Sequence, residues 1–345
     1  MHFLLLTSAL LAGCLLAVQA AANLQLNRAV GTPYGAAPLQ LAVAATLLAL
    51  LALAVGAIGA VRLLPGVPVW HLLGGLASPL YITSGILLFP RLGALAAVGL
   101  FVTGQMLASL GLDLFGALDI PRKPVSIGIV LGALAVLAGI TVIIRSQTAP
   151  PPAVAATLTG AATPARATSK ASTTAVRTVT AAPAPAPAKR GGGLAQSGWI
   201  VLGIVAGAVL PVQGAVNARL RDDIQEPMAV GMISFIVATL AGLAVLLLLR
   251  ALDRTPRPQF RPLAGMPWWG WLGGACAAAY VTATFMLIPA IGAATTVALT
   301  VTGQQAASAA IDHRGLLRLP RRPLTAPRLG GLALLIAGSA LVQLT

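Results

Sequence analysis

Carboxylates are the scarcest chemistry in this chain: seven Asp and Glu are spread through 345 residues, beside 22 Lys and Arg. Charged residues of both signs make up 8% of the sequence, where a water-soluble domain carries about a quarter. So few charges cannot cover a water-facing surface. Cysteine occurs only as Cys14 and Cys276, each inside an apolar run, which excludes a disulfide framework and a thiolate metal site. His2, His71 and His313 are scattered and show no zinc-ligand spacing. A Gly-x-Ser-x-Gly elbow and a phosphate-binding Gly-Lys-Ser/Thr loop are both missing. These gaps argue against an enzyme, against any cofactor, and against ATP-driven transport by this chain alone.

What is abundant is hydrocarbon. Hydrophobic residues reach 58% and the mean hydropathy is +0.92. Ten apolar runs stand out, the first at 3–24, the second at 38–61 and the last at 327–344, each near the roughly 20 residues that cross a bilayer as a helix. The runs are continuous and do not alternate, which excludes a spanning barrel. The expectation is an all-α membrane protein of about ten transmembrane helices. Its formal charge of +15 does not point to nucleic acid, because no basic face is interleaved with stacking aromatics. Basic residues in short loops set membrane topology instead. The expected partners are the lipid bilayer and a small-molecule substrate.

Leu11-Ala12-Gly13-Cys14 has the form of a lipoprotein cleavage box. No Lys or Arg precedes the apolar run, as the n-region of a signal peptide requires. Cys14 is therefore expected as a small residue within the first spanning helix.

Residues 146–197 differ from everything around them. Thr148-Ala149-Pro150-Pro151-Pro152, Ala182-Pro183-Ala184-Pro185-Ala186-Pro187 and Gly191-Gly192-Gly193 mark an Ala/Pro/Thr-rich linker that cannot form a packed element. The linker divides the chain into a first five-helix unit, 1–145, and a second, 198–345.

The two units are copies. Gln19-Ala20-Ala21-Ala22-Asn23 recurs as Gln213-Gly214-Ala215-Val216-Asn217, at an offset of 194. Further on the offset is 199, and Trp70, Tyr81, Pro90 and Thr103-Gly104-Gln105 face Trp269, Tyr280, Pro289 and Thr302-Gly303-Gln304. Of the 55 aligned positions from Trp70 to Pro124, 24 are identical. Five spans per unit, with a linker that stays on one side, force the copies into opposite orientations. Inverted repeats of this kind place a substrate site near the midplane between them. Seventeen of the 22 Lys and Arg fall in the linker and the loops on its side, and five on the other. The positive-inside rule then puts the linker in the cytoplasm and both termini outside. With both repeats in one chain, a monomer suffices.

Polar side chains inside a bilayer are costly and therefore informative. Gln105, Ser109 and Asp113 share one helix face, as do Gln304, Ser308 and Asp312 in the second copy. Gln19 with Asn23, and Gln213 with Asn217, form a second pair of faces, and Tyr81 and Tyr280 add phenol hydroxyls. Amides, hydroxyls and rings of this kind fit a pathway for a polar or amphipathic solute. They fit interhelical glue equally well, and tyrosine also anchors at interfaces. Asp113 and Asp312 sit at span ends, where a cap or salt bridge competes with ion coupling as their role. Trp268, Trp269 and Trp271 read as interfacial anchors.

The run Gln213-Gly214-Ala215-Val216-Asn217-Ala218-Arg219-Leu220, and the stretch from Val301-Thr302-Gly303-Gln304 through Asp312-His313 to Leu319-Pro320-Arg321-Arg322-Pro323, resemble the YdcZ-like family of the drug/metabolite transporter superfamily. The resemblance implies a multi-pass protein of the bacterial inner membrane, in this case a fused form of two five-helix units. It further implies a secondary transporter, with efflux of small organic molecules or metabolites as its expected activity. A non-transporting scaffold or accessory subunit is the alternative. The first copy departs from the pattern: Gly111-Leu112-Asp113-Leu114-Phe115 lacks the His after Asp312, and Leu24-Gln25 stands where Ala218-Arg219 does. The related small multidrug resistance transporters exchange protons on a glutamate of their first helix. Here Gln19 and Gln213 occupy the comparable positions.

Overall fold

In a bilayer every backbone N–H and C=O must find its partner inside the protein, and an apolar run without breakers does so as a helix. A computed structural model describes residues 2–119, 122, 124, 126–148 and 193–344. Among these residues there are ten α-helices and no strands. In the first half they are α1 (His2–Val30), α2 (Pro33–Ala54), α3 (Ala77–Leu92), α4 (Ala94–Phe115) and α5 (Ile127–Thr148). In the second they are α6 (Gly193–Ile224), α7 (Pro227–Ala251), α8 (Leu272–Ile291), α9 (Ala293–Arg314) and α10 (Ala326–Leu344). Short 3-10 turns at Val69–Leu76 and Trp268–Trp271 lead into α3 and α8. Most of the linker, 149–192, lies outside the described residues.

Eight of the described helices are long and apolar enough to cross a membrane. The other two are α9, whose 22 residues carry Thr, Gln and Ser at many positions, and α10, a shorter apolar helix. The second apolar run ends earlier than expected, at Ala54, and starts earlier, at Pro33. Proline lacks an N–H and fits the first helical turn, whereas Gly56, at φ 77°, takes the left-handed backbone that stops the helix. The chain then runs on as a 3-10 segment, Ala57–Gly66. The helix breaks recur in both halves. Gly93 and Gly292, at φ 83° and 84°, separate α3 from α4 and α8 from α9, and Gly116 and Gly315 end α4 and α9.

The packing is reciprocal. Helix α1 lies on α9 as α6 lies on α4, and α2 pairs with α7 and α5 with α10. Glycine makes these approaches possible by letting backbones touch. Gly104 of α4 sits on the Ile204 carbonyl of α6, and Gly303 of α9 sits on the Leu10 carbonyl of α1. Direction follows from the register. Gly132 of α5 meets Gly338 of α10 while Gly139, further along, meets Gly331, so the two helices run antiparallel. In α2, Pro38 meets Gly242 of α7 and Leu48 meets Gly231, with the same result. Equivalent helices packed antiparallel require a two-fold axis perpendicular to them. The halves are inverted repeats about an axis perpendicular to these helices.

Candidate functional site

A cavity of about 700 Å³ lies between the two halves. Its walls come from α1, α3 and α4 of the first half and from α6, α7, α8 and α9 of the second. It runs from Asp222, exposed at the end of α6, inward to Gln304, which is buried. The stripe of Gly214 and Ala218 on α6 is open to it.

Of the residues singled out by sequence, Gln19, Tyr81, Gln105, Ser109, Gln213, Asn217, Tyr280, Gln304 and Asp113 line this cavity. Gln304 donates from Nε2 to the Tyr81 hydroxyl at 3.2 Å, and the Tyr81 ring packs on Phe101 at a centroid distance of 4.8 Å. Across the cavity, Ser78 donates to Gln213 Oε1 at 3.0 Å, and Asn217 Nδ2 donates to Ser234 Oγ at 3.1 Å. Gln19 Oε1 and Asn217 Oδ1 are buried and take no hydrogen bond among the described residues. Asn217 Oδ1 lies against Gly74 of the opposite half.

Three of the singled-out residues stand elsewhere. Asn23 borders a side cavity of about 10 Å³ with Gln19 and Tyr81, the size of one water, and its Oδ1 lies against Gly273. Ser308 is buried and donates back to the Gln304 carbonyl at 2.7 Å, which satisfies its hydroxyl within α9. Asp312 closes the opposite end of the molecule. Its Oδ1 accepts from Ala94 N–H at 2.8 Å and its Oδ2 from Leu95 N–H at 3.2 Å, so it caps α4 from another helix, where a carboxylate meets the positive end of the helix dipole. Arg328 Nη2 completes the site at 2.9 Å from Oδ2, and both side chains are buried. A salt bridge was among the roles expected for Asp312; its burial was not. Arg328 also donates to the Arg322 and Pro323 carbonyls, and Arg322 donates to the carbonyls of Pro90 and Arg91 at the end of α3. Burial lowers the Arg322 pKa from its ordinary value, and the Asp312 charge opposes that shift.

Several participants escaped the sequence reading. Arg219, Arg221 and Asp222 reach the cavity mouth because α6 continues beyond its apolar run to Ile224. Arg219 donates to the Leu118 carbonyl at 3.2 Å, tying α6 to the exit of α4. His71 pairs with Asp223 beside this end. Ser78 and Ser234 carry no signal, since their counterparts in the repeat pattern are not hydroxyls. Arg328 does carry one: a lone arginine in an apolar helix must have a partner.

The sequence pattern of a family described as "Putative inner membrane exporter, YdcZ" matches residues 4–142 and again 198–341. The chain belongs to this family. The double match is that of a fused two-repeat member, a multi-pass membrane transporter of the inner membrane. No curated protein matches the chain.

Proposed function

We propose that this protein is a secondary exporter of small amphipathic organic molecules that carry no net charge. The observation that supports this most directly is the cavity itself. Its volume of about 700 Å³ suits a small organic ligand, which typically occupies 300–1,000 Å³. Its depth offers amides, hydroxyls and aromatic faces, while the charged lining residues Asp113, Arg219, Arg221 and Asp222 gather at the mouth. A solute with one apolar face and two or three hydrogen-bonding groups finds partners there. The nine singled-out residues that line the cavity form the pathway in this reading, with Gln304 and Tyr81 at its floor. The linker is cytoplasmic and both termini face outward, which turns the open mouth away from the cytoplasm.

The test is a screen of the purified protein for ligands that raise its melting temperature, followed by efflux from proteoliposomes. A solute at 100 times its Kd stabilises by about 2.7 kcal/mol, well within reach of a thermal scan. Solutes that stabilise the protein should also move across the bilayer. Stabilisation without movement would favour the accessory-subunit reading, and a screen with neither would overturn the proposal.

A further inference from the structure

The repeats are equivalent in sequence but not in conformation, and the difference lies at two aspartates. Asp312 and Asp113 are counterparts at the offset of 199. Asp312 caps α4 in a sealed end, where Ala94, Leu95, Ala96 and Ala97 are fully buried. Asp113 stands in the cavity wall, and on the corresponding helix α9 Thr296 lines the same cavity. The glycines that precede these helices report the same contrast. A side chain at Gly93 would run into Asp312 and Arg322, whereas Gly292 faces open space. Helix α1 packs on α3, while the equivalent surfaces of α6 and α8 are parted by the cavity.

We propose that the Asp312 cap on α4 is a gate holding one end shut, and that Asp113 closes the other end on the start of α9 when that gate opens. The proposal rests on the transporter reading above. Inverted repeats that exchange conformations carry a central site from one side to the other, and the conformation of each half is a template for its copy. The exchange needs a contact that is made in one half while it is broken in the other. A carboxylate on a helix N-terminus meets that need, because it is available in both copies at the same position. The two gates differ in composition. Ile129 stands where Arg328 does, and the cavity opens at the Asp113 end. A solute held between Gln213 on α6 and Tyr280 or Thr296 on α8 and α9 would draw the mouth together. A ligand shifts such an equilibrium only through contacts it makes in one state and not the other.

The experiment reads which side of the membrane reaches the cavity. In a background with Cys14 and Cys276 replaced by alanine, a single cysteine is placed at Gly214→Cys, where a side chain meets open space in the cavity wall. The full chain, in vesicles of known orientation and without added solute, is treated with a membrane-impermeant maleimide from each side. The parent should label from the Asp113 end. Asp312→Asn should raise labelling from the Asp312 end about tenfold and lower it from the Asp113 end, as a shift between two states requires. Adding Asp113→Asn should restore labelling from the Asp113 end. Arg322→Ala, which releases Pro90 and Arg91 without stranding a buried charge, should give the same exchange in smaller measure. Unchanged sidedness in folded Asp312→Asn, or in Arg322→Ala where Asp312→Asn does not fold, overturns the gate. A chain that exports solute with fixed sidedness overturns the gate alone. One that exchanges sides and moves no solute overturns the transporter reading alone.

Discussion

Gln304 of the second half donates its amide N–H to the Tyr81 hydroxyl of the first, across 3.2 Å at the floor of the cavity. The bond joins α9 to α3, two helices that must move relative to each other if the halves exchange conformations. One interhelical hydrogen bond in a membrane is worth about 0.6 kcal/mol on average. Gln304→Ala should therefore change the melting temperature little. Transport should fall about tenfold or more, because a solute polar group left unpaired costs about 1–3 kcal/mol. Transport rate and melting temperature, measured on the same liposome preparation, decide the matter. If both fall in step, Gln304 is structural glue and not part of the pathway.

Two glycines separate packing from pathway. Gly303 lies against the Leu10 carbonyl, so Gly303→Leu forces α9 away from α1, at a cost of about 1–3 kcal/mol or more. The expected result is little folded protein on size-exclusion chromatography. Gly214 faces open space in the cavity wall. Gly214→Trp should fold at the parent level and fail to transport, since the indole fills the path. Normal efflux by a folded Gly214→Trp protein would place the pathway elsewhere.

Much of this organisation is written in the sequence because it rests on local chemistry and on duplication. Gly93 and Gly292 recur at the offset of 199, and so do the Pro90 and Pro289 beside them, which fixes the helix breaks of both halves. The inversion follows from parity. Nine of the residues named line the cavity, because spacing by four puts amides and hydroxyls on one face of each helix. Conformation was not legible. Asp113 and Asp312 read alike in the sequence, and only packing shows one at the open mouth and the other under Arg328. The extension of α6 to Ile224 was also hidden, because Arg219, Arg221 and Asp222 look like loop chemistry until they line a cavity mouth.

The reciprocal packing predicts how the chain tolerates being cut. Helix α1 is covered by α9 of the other half, and α4 by α6. Each half alone leaves these small-residue faces bare. Residues 1–148 and 193–345 produced as two chains should co-purify as a one-to-one complex, and each alone should be degraded or aggregate. Recovery of either half as a stable monomer would contradict the swapped arrangement.

Seventeen of the 22 Lys and Arg lie on the linker side of the chain, including four at 250–261 and five at 314–328. A reporter fused after Thr345 tests the orientation that follows. Alkaline phosphatase at that position should be active. A fluorescent C-terminal fusion without phosphatase activity would place both termini in the cytoplasm and reverse the side to which the cavity opens.

The Asp312–Arg328 pair allows a sharper test of what seals the closed end. Both side chains are buried, at 1% and 4% exposure, so either charge alone is expensive. Arg328→Met strands the carboxylate with the Ala94 and Leu95 N–H groups as its remaining donors, at 2.8 and 3.2 Å. Breaking a buried pair in this way costs about 3–5 kcal/mol. Asp312→Asn is milder, because Arg328 keeps the Arg322 and Pro323 carbonyls at 3.0 and 3.1 Å, while the single amide oxygen keeps only one of the two bonds from α4, a weaker cap. The double variant removes the stranded carboxylate and leaves a neutral cap, so it should recover part of the loss of Arg328→Met. The order of stability expected from denaturation in detergent is parent, Asp312→Asn, the double variant, then Arg328→Met. A double variant as unstable as the two single losses added together would mean that Arg328 packs beside Asp312 without holding it.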